Sequence, residues 1–148
     1  MKVDIYTHTT LKSPRERNGV CIYVIETKEL PYINGKNPIT EMGPITDAGV
    51  NEAQLTTLLR ALRRLKDSSD VEIDTESAYI KSGIDRIPEY ERSQWITSRG
   101  ERVKYTDLWM EVAAILKRQA SVTTVLSREN EWASWMEAEA KRKIQKKM

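Results

Sequence analysis

The side chains in this chain with the most chemical reach are few. His8 is the only histidine, and Asp74 and Glu76 alternate along a short apolar run, which puts both on one face if that run is a strand. Glu131 and Glu137 bracket Ser134 three residues to either side, one helical turn each way. Drawn together, these acids and the imidazole would ligate Mn²⁺ or Zn²⁺. Left apart, they are solvated surface acids and a buried, hydrogen-bonded histidine, which is the plainer reading of the same pattern. Cys21 is the single cysteine and has no internal disulfide partner.

A second set of residues carries positive charge. Lys12, Arg15 and Arg17 cluster near the start, and Arg60, Arg63, Arg64 and Lys66 end a leucine-rich segment. Arg99, Arg102 and Lys104 close a polar stretch that also holds Trp95, and a basic tail runs over 141–148. Clustered cations of this kind hold phosphate backbones, and an aromatic among them can stack on a base or pack against its own loop. The ordinary alternative is that basic residues near a helix C-terminus suit the macrodipole and that basic tails stay solvated. A net charge of +2, from 24 basic and 22 acidic residues, declares no partner by itself. No run of about 18 apolar residues crosses a membrane, and the start lacks the apolar stretch of a signal peptide. One soluble domain over 1–148 in a reducing cytoplasm is the expected setting.

The elements that must position these groups are legible in the hydrophobic pattern. Val3 to Thr7, Val20 to Ile25 and a weaker segment near Pro38 to Met42 read as three antiparallel strands. Ser13-Pro14, Asn18-Gly19, Pro31, Asn34-Gly35 and Asn37-Pro38 mark the turns between them. Leu55, Leu58, Leu59, Leu62 and Leu65 recur at helical spacing behind Asn51 as N-cap. Val71 to Thr75 predicts a fourth strand, and Ser77 to Ile84 a short helix stopped near Pro88. Residues 89–104 read as a loop or short helical excursion. A helix capped by Thr106 or Asp107 then carries Leu108, Trp109, Val112, Ile115 and Leu116, and Val122 to Leu126 is a fifth strand. A last helix places Trp132, Trp135, Met136, Ala140 and Ile144 mostly on one face.

Four local blocks sit on this frame. Val3-Asp4-Ile5-Tyr6-Thr7-His8 resembles a first strand ending in Thr-Asp-Gly, and Asn51-Glu52-Ala53-Gln54-Leu55 is similar to an Asn-x-x-Glu-Leu helix start. Thr75 to Ile80, with Gly83-Ile84 downstream, resembles a Thr-Asp-Ser-x-Tyr-Val block, and Val103 to Trp109 resembles a Val-Lys-x-x-Asp-Leu-Trp run. Together they resemble type 1 ribonuclease H over almost the whole chain. The resemblance implies an α/β fold, a five-stranded mixed sheet of three antiparallel then two parallel strands flanked by helices, in the order βββαβα(α)αβα.

In that family four carboxylates hold two Mg²⁺ ions about 4 Å apart, which clamp the attacking and leaving oxygens of a phosphodiester. Carried over by the resemblance, those positions are His8, Gln54, Glu76 and Ser134, so one carboxylate of four remains. Imidazole is a poor Mg²⁺ ligand and cannot bridge two ions as a carboxylate does. The glycine-rich turn after the family's first Asp is replaced by Thr9 to Pro14, and its catalytic-loop histidine is missing from 125–131. The expectation is a nuclease-inactive domain with no resident cofactor. It would bind RNA–DNA hybrid or another duplex through Lys12, Arg15, Arg17, Trp95, Arg99, Arg102 and Lys104. A rearranged Mg²⁺- or Mn²⁺-dependent nuclease using Asp74 and Glu76, and a protein-interaction module on the same scaffold, are the alternatives.

Overall fold

A computed structural model describes residues 1–27, 38–66 and 68–146. Five strands form one sheet: β1 (Lys2–Thr9), β2 (Arg17–Glu26), β3 (Ile39–Ala48), β4 (Asp70–Thr75) and β5 (Ser121–Leu126). Helices α1 (Val50–Leu62), α2 (Ala78–Arg92), α3 (Thr106–Lys117) and α4 (Ala133–Lys146) flank it. The spatial order is β3-β2-β1-β4-β5, with β1–β2 and β2–β3 antiparallel and β1–β4 and β4–β5 parallel. This is the mixed sheet that the resemblance implies. Among the described residues, no helix is long and apolar enough to cross a membrane.

Strands β1 and β2 lie inside the sheet and bury both faces, which explains the apolar run 20–25 of β2 and the nearly complete burial of β1, polar residues included. Val3, Ile5, Tyr23, Ile25, Val71 and Ile73 face Leu55, Leu58, Leu59 and Leu62 of α1 and Trp109 and Val112 of α3 in the larger core. On the opposite face, Tyr6, Val20, Ile22 and Val24 pack against Met136 and Ala140 of α4. Trp135, read as part of that apolar stripe, is instead 38% exposed, its ring edge-on to Trp132.

Several boundaries differ from the sequence pattern for identifiable reasons. The α1 N-cap is Gly49 rather than Asn51: the β1–β2 loop lies against this helix end, and the Ser13 carbonyl accepts a hydrogen bond from the Val50 N–H at 2.9 Å. A Cβ on Gly49 would come within 2.5 Å of the Pro14 carbonyl oxygen, so the contact demands glycine. Strand β3 runs on to Ala48, through Pro44, because a sheet edge tolerates proline. Pro88 lies inside α2 and does not end it. The helix continues to Arg92, where Ile87 and Tyr90 pack on the main core and outweigh the missing N–H. No separate helix occupies the excursion: Ile96 bridges Arg102, and Gln94 and Trp95 both take left-handed backbone angles. Tyr105, also left-handed, precedes α3 in place of the expected Thr106 or Asp107 cap, since the Thr106 hydroxyl donates to the Val103 carbonyl instead. Pro31, Asn34, Gly35 and Asn37 lie outside the described residues.

Helices α2 and α3 approach closely where Gly83 of α2 meets Trp109 of α3. A Cβ at position 83 would lie 2.3 Å from the indole ring, and Trp109 is itself buried, its Nε1 donating to the Tyr79 hydroxyl at 2.9 Å. Gly83→Ala is therefore expected to destabilise the fold by about 1–3 kcal/mol through overpacking. Urea unfolding followed by tryptophan fluorescence checks this, and an unchanged midpoint would contradict the contact.

Candidate functional site

The parallel pairing of β1 with β4 sets two strand ends side by side, with Tyr6 opposite Asp74. Residues 4, 6 and 8 of β1 and 72 and 74 of β4 therefore share the α4 side of the sheet, with Glu76 next in the alternation just past the strand end. At that end His8 and Gln54 are buried and Glu76 is partly so. His8 Nδ1 lies 3.4 Å from Glu76 Oε1, and Gln54 Nε2 donates to the same oxygen at 3.2 Å. Three elements thus converge on one carboxylate oxygen.

Glu76 is held firmly from behind. The next residue, Ser77, caps α2 by accepting from the Ile80 N–H at 3.1 Å, and the Ser77 N–H donates to the Thr75 hydroxyl at 3.1 Å. The His8 hydrogen bond, assisted by the charges of His8 and Lys12 and by Gln54, holds the Glu76 carboxyl below its usual range, against the opposing effect of burial. Gln54 Oε1, by contrast, is buried with no hydrogen-bond partner among the described residues. Of the four carried-over positions, the structure brings together His8, Gln54 and Glu76. Ser134 is exposed in the first turn of α4, and the α4 residue whose charge couples to His8 and Lys12 is Glu137. Glu137 is itself held low chiefly by its hydrogen bond to Lys141.

Asp74 lies two residues before Glu76, on β4. Its ligand oxygens gather with those of Asp4 and Glu72, all within 4.8 Å of one another, the group among the described residues that could hold a metal ion. Tyr6 sits beside it and donates to Glu131 Oε1 at 2.7 Å, and burial and that bond push the Tyr6 hydroxyl well up. Sequence reasoning overlooked Asp4 and Glu72. Both were visible as members of two alternating stripes, 4-6-8 and 72-74-76, which become neighbours only once β1 and β4 pair in parallel register.

The basic residues divide sharply. At the end of α1, Arg60 donates to the Pro44 carbonyl, Arg63 grips Glu111 through two bonds of 2.5 and 2.9 Å, and Arg64 pairs with Glu41. These side chains brace α1 against β3 and α3. Arg102 pairs with Asp107 at 3.2 Å, and Lys104 lies over the Tyr105 ring. Lys12, Arg15, Arg17 and Arg99 are exposed. Trp95 is not available to stack on a base: it is buried in the main core, its ring 5.7 Å from that of Tyr90. The packing reading of Trp95 is the correct one.

A mixed five-stranded sheet with this strand order, with paired strand ends facing a helix, defines an α/β domain of ribonuclease H fold. The RNase H family model matches residues 2–133, and the chain belongs to that family. The match stops one residue short of Ser134. A ribonuclease H of Thiobacillus denitrificans is 36% identical over 73 residues, 49% of each chain. The chain spans about half the length of the curated relatives it matches. Among solved structures, a type 1 RNase H with the type 2 active-site motif superposes with a TM-score of 0.71 at 17% identity, covering 95% of this chain and 71% of that one. A foamy viral protease-reverse transcriptase in complex with RNA/DNA hybrid gives 0.71 at 13% identity, covering 95% of this chain and 19% of that one. These likenesses concern the fold.

Because the folded Glu76 carboxyl lies below its unfolded value of about 4.3, the stability it contributes is complete above that pH and is lost as pH falls through the lower folded value. Glu76→Gln is therefore expected to be less stable than the parent at pH 7, with a smaller gap at a pH well below the usual carboxylate range. Urea melts of both proteins at the two pH values measure it; an equal gap at both would place the stabilisation elsewhere.

Proposed function

We propose that this chain is a ribonuclease H-family domain that binds RNA–DNA hybrid, or another nucleic-acid duplex, without hydrolysing it. The observation that carries the reading is that the converging positions 8, 54 and 76 hold a single carboxylate, one of whose oxygens already faces both His8 and Gln54. Hydrolysis by two Mg²⁺ ions needs several hard oxygen ligands whose negative charge offsets the metal charge. An imidazole and an amide N–H aimed at the one remaining carboxylate do not fit that pair of ions, and no hydrolytic step is assigned to them.

Binding requires less. A duplex is held largely by neutralising its phosphates, and Lys12, Arg15, Arg17 and Arg99 are exposed to solvent where a duplex could meet them. The foamy viral relative in fold was solved on an RNA/DNA hybrid, which supports that ligand class for the shared scaffold. One observation favours a second reading. The Asp4–Glu72–Asp74 group offers oxygens close enough for a Mn²⁺ or Mg²⁺ ion, and an active enzyme with a displaced centre would use it.

The experiment is incubation of the purified protein, freed of host ribonuclease H, with end-labelled RNA–DNA hybrid in low salt with Mg²⁺ or Mn²⁺, read on denaturing and native gels. A retarded but intact hybrid is the expected result. Cleavage abolished by Asp74→Asn would establish the displaced centre instead, and neither binding nor cleavage would point to a protein partner. Binding is also expected to weaken steeply with salt, and the variant Lys12→Gln/Arg15→Gln to lower the slope of log K against log salt by about 1–2. An unchanged slope would move the contact surface away from this loop.

A further inference from the structure

Two divalent ions would normally do more than chemistry in a site of this kind. They would also tie together the elements that supply their ligands, because each ion cancels repulsion between carboxylates and bonds to several at once. Here positions 8, 54 and 76, where β1, α1 and the residue after β4 meet, hold only one carboxylate. His8 comes from β1, Gln54 from α1 and Glu76 from the residue after β4, and both partners present nitrogen to the same Glu76 oxygen, at 3.4 and 3.2 Å. The two nitrogens do for this oxygen what a cation would. Both side chains are more than nine-tenths buried, with residue exposures of 7% and 3%.

We infer that His8 and Gln54 stand in place of the divalent ions as the cross-link of this site, so that the site takes no divalent cation as it is and accepts one once acids are returned at positions 8 and 54. The inference rests on the reading above that the two-metal centre is lost, and it adds that the backbone frame for such a centre is intact. Two features support the first half. The amide of Gln54 must turn its buried Nε2 away from Glu76 before any metal could share that carboxylate oxygen with Oε1, and the positive charge of Lys12 already acts on both Glu76 and Glu137. The second half follows from placement. Positions 8, 54 and 76 converge closely enough for their side-chain termini to touch, and Asp at 8 with Glu at 54 would put three carboxylates where one now sits.

Thermal melting of the full chain, without nucleic acid, tests this over a series of Mg²⁺, Mn²⁺ and Zn²⁺ concentrations. It compares the parent protein and His8→Asp/Gln54→Glu, each with and without Glu76→Gln. The parent and its Glu76→Gln derivative are expected to respond alike to every ion. The double variant is expected to melt lower without metal and to rise by about 3–6 °C once Mg²⁺ or Mn²⁺ reaches tenfold its dissociation constant, and Glu76→Gln removes that rise. Should the double variant melt too low to follow, His8→Asp alone carries the same comparison. A parent response that Glu76→Gln abolishes would overturn the inference, and so would variants no more responsive than the parent. Because no nucleic acid is present, these outcomes are independent of whether the chain binds a duplex.

Discussion

The parallel contact between β1 and β4, at the centre of the sheet, is the interaction on which the remaining architecture depends. Parallel neighbours cannot be joined by a tight turn, so the chain must leave the sheet after β1 and return. It does so through β2, β3 and α1, and α1 then covers the large core face. The same pairing fixes register, with Val3 opposite Val71 and Ile5 opposite Ile73 on the core face. A slip of one residue would turn those apolar side chains outward. The juxtaposition of His8 and Glu76 is a by-product of that register.

Much of this was legible in the sequence because burial dictates pattern. The helix of Leu55, Leu58, Leu59 and Leu62 and the runs in β1 and β2 were visible since these elements bury most of what they carry. The errors fall where long-range contacts override local rules. Asn51 looks like a cap until the β1–β2 loop is seen to supply Ser13 instead, and Pro88 looks like a stop until Ile87 and Tyr90 find the core. Trp95 sits in a polar stretch, and its burial comes from the fold returning it to the main core, where its ring meets Tyr90. At the candidate site, the convergence of positions 8, 54 and 76 came from resemblance rather than from periodicity. Asp4 and Glu72 escaped notice because no local signal announces a cross-strand pair.

The site also illustrates how stability and chemistry compete for the same residues. A cluster of carboxylates without ions is repulsive, whereas at positions 8, 54 and 76 an imidazole and an amide face a single carboxylate. What is left is asymmetric. Glu76 is well supplied with donors, whereas Gln54 Oε1 is buried with no partner among the described residues, a local cost of this arrangement.

The loop between β1 and β2 carries one last implication. Leu11 anchors it in a small core, the Thr10 hydroxyl accepts from the Val20 N–H, the Ser13 hydroxyl accepts from the Arg15 N–H, and the Ser13 carbonyl and Pro14 rest on the start of α1. Its backbone is thereby fixed before any ligand arrives, while Lys12 and Arg15 extend from it into solvent. A polyanion meeting these two charges has only side-chain rotamers to order and no loop to fold, so the entropic penalty of association is confined to the two flexible side chains themselves.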